Sequence, residues 1–188
     1  KNINVIGIDN LSTCQYNFIK HLENNDKLTF IKRDLLSYDS MMEYFKDVDV
    51  VYHLSANADV RFGFEHPRKD IDQNIIVTSN VLEAMRRFNV KKIVFSSTGS
   101  IYGDHLTIPT PENASFPVQT SLYAASKLAC EGLISSYCEG YDMQSWVFRF
   151  VSIIGERYQH GHIFDFYKKL KNNPNELYVL GNGEQKKS

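Results

Sequence analysis

The stretch KKIVFSSTGSIYGD (91–104), with SLYAASK (121–127) downstream of it, decides how the chain reads. Lys92–Ser96 is dense in Ile, Val and Phe, as a buried parallel strand should be. It runs into three hydroxyls, Ser96, Ser97 and Thr98. After a Pro-containing loop, Ile108–Pro117, the segment Leu122–Glu139 carries a helical pattern. Strand, loop and helix make up half of a βαβ unit.

The rest of the chain repeats this plan. Further strands are expected at Ile3–Ile8, Leu28–Ile31, Asp49–Leu54 and Ser145–Phe150, several near-continuously apolar, as if buried on both faces. Helices are expected at Ser40–Lys46, His66–Phe88 and Ile163–Asn172. In His66–Phe88, the residues Ile71, Ile75, Thr78, Leu82, Met85 and Arg86 recur at three- and four-residue steps. The alternation predicts an α/β fold: a Rossmann-like, doubly wound parallel sheet with right-handed crossovers.

Composition excludes several classes of function. The chain has 188 residues, 43% hydrophobic and 23% charged, enough apolar material for a core. Its net charge of -1, without a long run of either sign, gives no electrostatic reason to bind nucleic acid or a membrane. No apolar run approaches the ~20 residues that span a bilayer, and no signal peptide is evident. Cys14, Cys130 and Cys138 lack metal-ligand spacing and fit reduced thiols. A cytoplasmic protein is expected. The chain lacks an initial Met and ends on the polar stretch GNGEQKKS, so both ends read as cuts through a longer protein.

In an open parallel sheet, ligands bind beyond the carboxyl ends of the strands. Asp9 ends the first strand, where a carboxylate can accept hydrogen bonds from both adenosine ribose hydroxyls and repel a 2'-phosphate. Asn10 follows rather than Arg, which favours NAD over NADP. Asp-Asn is equally good turn chemistry. Asp34 could accept from an adenine amino group while Leu35 packs on the ring; by itself Asp34 reads more simply as a helix cap or turn residue.

Tyr123 and Lys127 have the Tyr-x-x-x-Lys spacing that puts two side chains on one helical face. The spacing alone decides nothing. Composition predicts about one such pair by chance and the chain holds three, the others being Tyr16–Lys20 and Tyr167–Lys171. Only Tyr123 follows a strand that ends in hydroxyls. A free phenol, with a pKa of about 10, is a poor base at neutral pH. A nearby ammonium and a positive nicotinamide ring would favour the phenolate. Tyr123 could then take a proton from a substrate hydroxyl, with Lys127 supplying charge and Thr98 orienting the reacting oxygen.

Together these residues resemble the extended short-chain dehydrogenase/reductase family, and within it the NAD-dependent nucleotide-sugar epimerases and dehydratases. The matching segments run in family order: VIGIDNLS (5–12), Asp34-Leu35, VVYHLSANADV (50–60), Asn74, KKIVFSSTGSIYGD (91–104), SLYAASK (121–127), FRFVSIIGER (148–157) and LGNGEQ (180–185). The resemblance implies adenosine-ribose contacts at Asp9 and Asn10 and an adenine site at Asp34 and Leu35. It implies a cofactor lining at Leu54, Ser55 and Ala56, with Asn74 and Ser96 also close to the cofactor. It makes Thr98, Tyr123 and Lys127 catalytic, with Tyr123 and Lys127 also holding NAD, and it implies a homodimer through His66–Phe88 and Leu122–Glu139. Residues 1–157 would be an incomplete NAD-binding domain, and 158–188 the start of a nucleotide-sugar-binding part.

The departures from the family pattern carry information. The Gly-rich phosphate loop is absent, because the chain begins at the family's second strand. In the order 3-2-1-4-5-6, the missing first strand lies mid-sheet, so this chain is expected to hold NAD weakly. Val151-Ser152 stands where the family often has Asn after the sixth strand. Gly99-Ser100 follows Thr98, where the 4,6-dehydratases carry Asp-Glu to expel water. That favours a UDP-sugar 4-epimerase, working by reversible hydride transfer through a 4-keto sugar. A 4,6-dehydratase or nucleotide-sugar reductase is the nearer alternative, and a non-catalytic NAD-sensing or RNA-binding relative the more distant one. His160-Gly-His162 makes a poor metal site, so no metal is expected.

Overall fold

The structure, a computed structural model, describes residues 3–57, 60–103, 107–119, 121–151, 153–157, 161–179 and 181–182. Five strands form where the apolar runs are: β1 (Val5–Asp9), β2 (Leu28–Lys32), β3 (Val51–His53), β4 (Lys92–Thr98) and β5 (Gln144–Phe150). All pairings are parallel. The helices are α1 (Tyr38–Met41), α2 (Val60–Glu65), α3 (Pro67–Asp70), α4 (Val77–Arg87), α5 (Leu122–Tyr141) and α6 (His162–Asn172).

The strands make two groups, β1-β2 and β3-β4-β5. No ladder joins β1 to β3 among the described residues. The break falls where the family order places its first strand. β4 is the centre of the larger group, pairing with β3 from Val51↔Ile93 to His53↔Phe95 and with β5 from Lys92↔Gln144 to Thr98↔Phe150.

One face of this group is dry. Ile93 and Phe95 of β4 pack with Val77, Val81, Leu82, Ala84 and Met85 of α4 and Cys130 and Ile134 of α5, all buried. The expectation of strands buried on both faces does not hold for the described residues. Tyr52, Phe148 and Phe150 are exposed and line a shallow apolar depression of about 260 Å³ with Leu54 and Val94. The side chains alternate between faces as strand geometry requires, but only one face has a described cover.

The helix expected at His66–Phe88 forms as a rod of three parts: α3, a π-helical stretch at Ile71–Ile76, and α4. A π turn admits an extra residue. The 3.6-residue pattern therefore slips there. Thr78, Leu82 and Met85 of the apolar stripe are fully buried, whereas Ile71 and Arg86 are exposed. The α2 helix was not legible in the sequence. Ser40–Lys46 forms as α1 followed by a 3-10 turn at Met42–Phe45.

Candidate active site

The carboxyl ends of the strands gather two groups of residues. The first surrounds a cavity of about 490 Å³ lined by Asp9, Asn10, Asp34, Leu35, Leu54, Ser55 and Ala56, with Asn57, Arg33, Lys69 and Gln73 among the others. Every residue expected at the adenosine end and in the β3 loop lies on this wall. The turn chemistry holds as well. Asp9 Oδ1 accepts from the Leu11 amide at 2.6 Å and Asn10 Oδ1 from the Ser12 amide at 2.9 Å. Leu11 has a positive φ of 59°. Asp34 Oδ1 accepts from the Leu36 amide at 2.9 Å, while its Oδ2 accepts from Asn10 Nδ2 at 3.0 Å, bracing β1 against β2. Turn-forming and pocket-lining are thus the same residues' work. The cavity thus brings two half-buried carboxylates and a leucine together at the ends of β1 and β2.

Sequence reasoning missed Asn57, Arg33 and Lys69. Their only signal was nearness to a strand end or to α3, which singles out no residue type.

The second group sits at the end of β4. Ser121 caps α5, its Oγ accepting from the Ala124 amide at 3.3 Å. Tyr123 therefore lies in the first turn, at the positive end of the helix dipole. Lys127, one turn on, is 2% exposed. Its Nζ donates to the Ser96 carbonyl at 2.8 Å and lies 4.6 Å from the Phe95 ring centroid. Ser96 Oγ donates to the His53 carbonyl at 3.4 Å. Thr98 Oγ1 accepts from the Ser100 amide and donates to Ser100 Oγ, both at 3.1 Å, and it lies near enough to the Tyr123 phenol to favour its charged form. The structure therefore sets Thr98 near Tyr123 and bonds Lys127 to Ser96.

The Tyr123 phenol is held above its ordinary value, first by burial, with the nearby Thr98 hydroxyl opposing the rise and the charge of Asp70 adding to it. The Lys127 ammonium is turned to the Ser96 carbonyl. Burial also lowers the Lys127 pKa to about 8.

Asn74, on the π-helical stretch, is 1% exposed and faces α5. Its Nδ2 donates to Ser126 Oγ at 2.7 Å and its Oδ1 accepts from the Asn57 amide at 2.8 Å. Behind it, His53 Nε2 lies 2.8 Å from Thr78 Oγ1, Thr78 donates to Cys130 Sγ at 3.3 Å, and Cys130 donates to the Asn74 carbonyl at 3.3 Å. Since the Thr78 proton goes to sulfur, His53 donates from Nε2. Burial, and secondly the Lys127 charge, lowers the His53 pKa to about 3, so it is a neutral packed residue.

No group of three or more His, Cys, Asp or Glu that could hold a metal ion occurs among the described residues. No described helix is long and apolar enough to cross a membrane. Ser152, His160 and the 183–185 part of the last matching segment lie outside the described residues.

The chain is 35% identical over 191 residues to a putative UDP-glucose 4-epimerase of Methanocaldococcus jannaschii, covering 98% of this chain and 60% of the relative. The UDP-N-acetylglucosamine 4-epimerase from Methanobrevibacter ruminantium superposes with a TM-score of 0.85 at 30% identity, over 97% of this chain and 59% of that one. The UDP-glucuronic acid 4-epimerase from Bacillus cereus, solved with UDP-glucuronic acid and NAD, gives 0.81 at 28%, over 90% and 55%. The chain thus spans about 60% of the length of the curated relatives it matches. The family model described as the NAD dependent epimerase/dehydratase family matches residues 1–188, and with the strand-end sites just described the chain belongs to that family.

Proposed function

We propose that the protein, at its full natural length, is a nucleotide-sugar 4-epimerase acting on a UDP-sugar. The observation that carries this reading is the Thr98–Tyr123–Lys127 group at the end of β4, followed by Gly99-Ser100, which supply no acid. A Cβ at Gly99 would lie 3.0 Å from Val151 Cγ2, so a larger residue there would require Val151 to give way. An epimerase needs no acid there.

The residues that would hold NAD are Asp9, Asn10, Asp34 and Leu35 at the adenosine end, Leu54, Ser55 and Ala56 along the wall, and Asn74, Ser96, Tyr123 and Lys127 near the reacting end. NAD, when bound, supplies the hydride acceptor and a positively charged ring. Tyr123 takes the proton from the sugar 4-hydroxyl and gives it back after the keto sugar has turned over. Thr98, near Tyr123 at the end of β4, orients that oxygen. Lys127 would hold the nicotinamide ribose and supply positive charge that disfavours protonation of the phenol. Assembly as a homodimer through α4 and α5, and a sugar-binding role for 158–188, belong to the same proposal.

The test is product analysis. The full-length protein with NAD and UDP-glucose or UDP-N-acetylglucosamine should give the C4 epimer. A 4-keto-6-deoxy product would overturn the epimerase reading in favour of a dehydratase.

A further inference from the structure

Asp70 closes α3 and is 1% exposed. Its Oδ1 accepts from Asn57 Nδ2 at 2.9 Å and Asn74 Nδ2 at 3.5 Å. Its Oδ2 has no hydrogen-bond partner among the described residues. Burying a carboxylate with one oxygen unpaired is costly, and an apolar residue would stabilise the fold more. The fold nevertheless makes room for it. A Cβ at Gly63 of α2 would lie 2.2 Å from Oδ2, so only glycine lets the carboxylate pack there.

The partners of Asp70 lead both ways. Asn57 lies on the wall of the adenosine-side cavity. Asn74 donates to Ser126 Oγ, and Ser126 donates to the Tyr123 carbonyl at 2.8 Å. A continuous buried path therefore runs from the cofactor wall through Asp70 and Asn74 to the first turn of α5.

We propose that Asp70 is a positioning residue of the reaction, which fixes the cofactor wall to the catalytic helix and places a negative charge behind Tyr123. The proposal rests on the catalytic reading of Tyr123. Burial is the main influence that keeps the phenol protonated, and the Asp70 charge adds to it, so that the base forms when cofactor and substrate bring positive charge to its other side. Among the described side chains on elements packed against α5, Arg68 pairs with Asp72, Arg86 and Arg87 with Glu83, and Arg149 with Glu131, while Glu65 of α2, Lys69 of α3 and Lys92 of β4 are exposed. Lys127, on α5 itself, is turned to Ser96.

The test separates charge from position. Asp70→Asn keeps the Oδ1 acceptor and removes the charge; Asp70→Ser removes the charge with less bulk if the amide does not fit against Gly63. In the full-length enzyme the acid limb of the kcat/KM profile should move to lower pH by ~0.5 unit or more, because a charge that disfavours the phenolate is gone. Ser126→Ala, which retains the charge, should lower kcat while leaving the limb in place. A limb unmoved in Asp70→Asn and Asp70→Ser would overturn the proposal. Tyr123→Phe is run in parallel, and its retention of turnover would overturn the catalytic reading instead. The charge effect is then read without turnover, by carbon-13 titration of labelled tyrosine in the 188-residue chain. The Tyr123 resonance, identified by its loss in Tyr123→Phe, should titrate at lower pH in Asp70→Asn; an unchanged midpoint would overturn the proposal.

Discussion

The Lys127 ammonium donates to the Ser96 carbonyl over 2.8 Å, so a buried cation on α5 is tied to the strand that carries the reactive hydroxyls. No carboxylate pairs with it among the described residues. A carbonyl and the face of Phe95 offset only part of the cost of burying the charge. A fold selected for stability alone would have an apolar residue here.

Lys127→Met should therefore abolish turnover of the full-length protein and stabilise the chain at pH 7 by ~1–3 kcal/mol. The pH dependence has a definite sign. The folded-state value is about 8 against an ordinary 10.5, so the penalty is fully present below pH 8. Between 8 and 10.5 the unfolded chain holds more protons, and wild-type stability rises with pH. The gap between wild type and variant should shrink across that window. Urea unfolding at pH 7, 9 and 10.5 checks this.

His53 gives the acid-side counterpart. Its folded-state value of about 3 lies below the ordinary 6.5. The stability that comes from keeping it neutral is complete above pH 6.5 and is lost as pH falls from there toward 3. His53→Gln keeps a donor for Thr78 without titrating. It should flatten the acid arm of the stability curve by ~2–4 kcal/mol, measured as the difference between denaturant titrations at pH 7 and pH 4.

The legible parts of this molecule are those with a local signal. The five strands announced themselves by apolar runs, and Asp9, Asn10 and Asp34 by turn chemistry at strand ends. Tyr123 and Lys127 could be picked from three equivalent pairs only by their place after Ser96–Thr98. Long-range consequences were not legible. The direction of the Lys127 ammonium depends on a carbonyl 31 residues away, which no local pattern announces. The π-helical stretch hid in a regular stripe because its extra residue shows only where Ile71 and Arg86 fall off the buried face. Asp70 drew no notice, since a single Asp among charged neighbours in Pro67–Asp72 looks like a solvated helix face.

Asp9 and Arg33 line the same cavity with opposite charge, which makes cofactor choice a matter of geometry. Arg33 Nη1 donates to the Lys32 carbonyl, whereas the Asp9 carboxylate is fixed by the Leu11 amide at the strand end. The full-length protein should bind NAD more tightly than NADP, and Asp9→Asn should narrow the difference by ~1–2 kcal/mol by removing repulsion of a 2'-phosphate. Tighter NADP binding by wild type would overturn the assignment. In the 188-residue chain, where β1 and β3 share no ladder, NAD binding should be weak; a submicromolar dissociation constant from calorimetry would refute that.

Arg149 ties the loop after β4 to the rest of the site. Its Nη2 and Nε donate to Glu131 of α5 at 2.9 and 3.2 Å, and its Nη1 donates to the Glu112 carbonyl at 2.9 Å and to Tyr102 Oη. The guanidinium also lies 5.2 and 5.0 Å from the ring centroids of Tyr102 and Phe116. Ser97, between two site residues, donates to the same Glu131. Arg149→Met would leave a mostly buried carboxylate without its cation and release Glu112 and Phe116 together. Since the pair retains some solvent contact, the expected loss is ~1–3 kcal/mol rather than the larger cost of a fully buried break. Cleavage within 107–119 by limited proteolysis should accelerate, because that segment loses its anchor. Adding Glu131→Leu should restore part of the stability by removing the stranded charge, but not the protection of the loop. Equal recovery of both would mean that the ion pair, and not the contacts to Glu112, Tyr102 and Phe116, holds the loop in place.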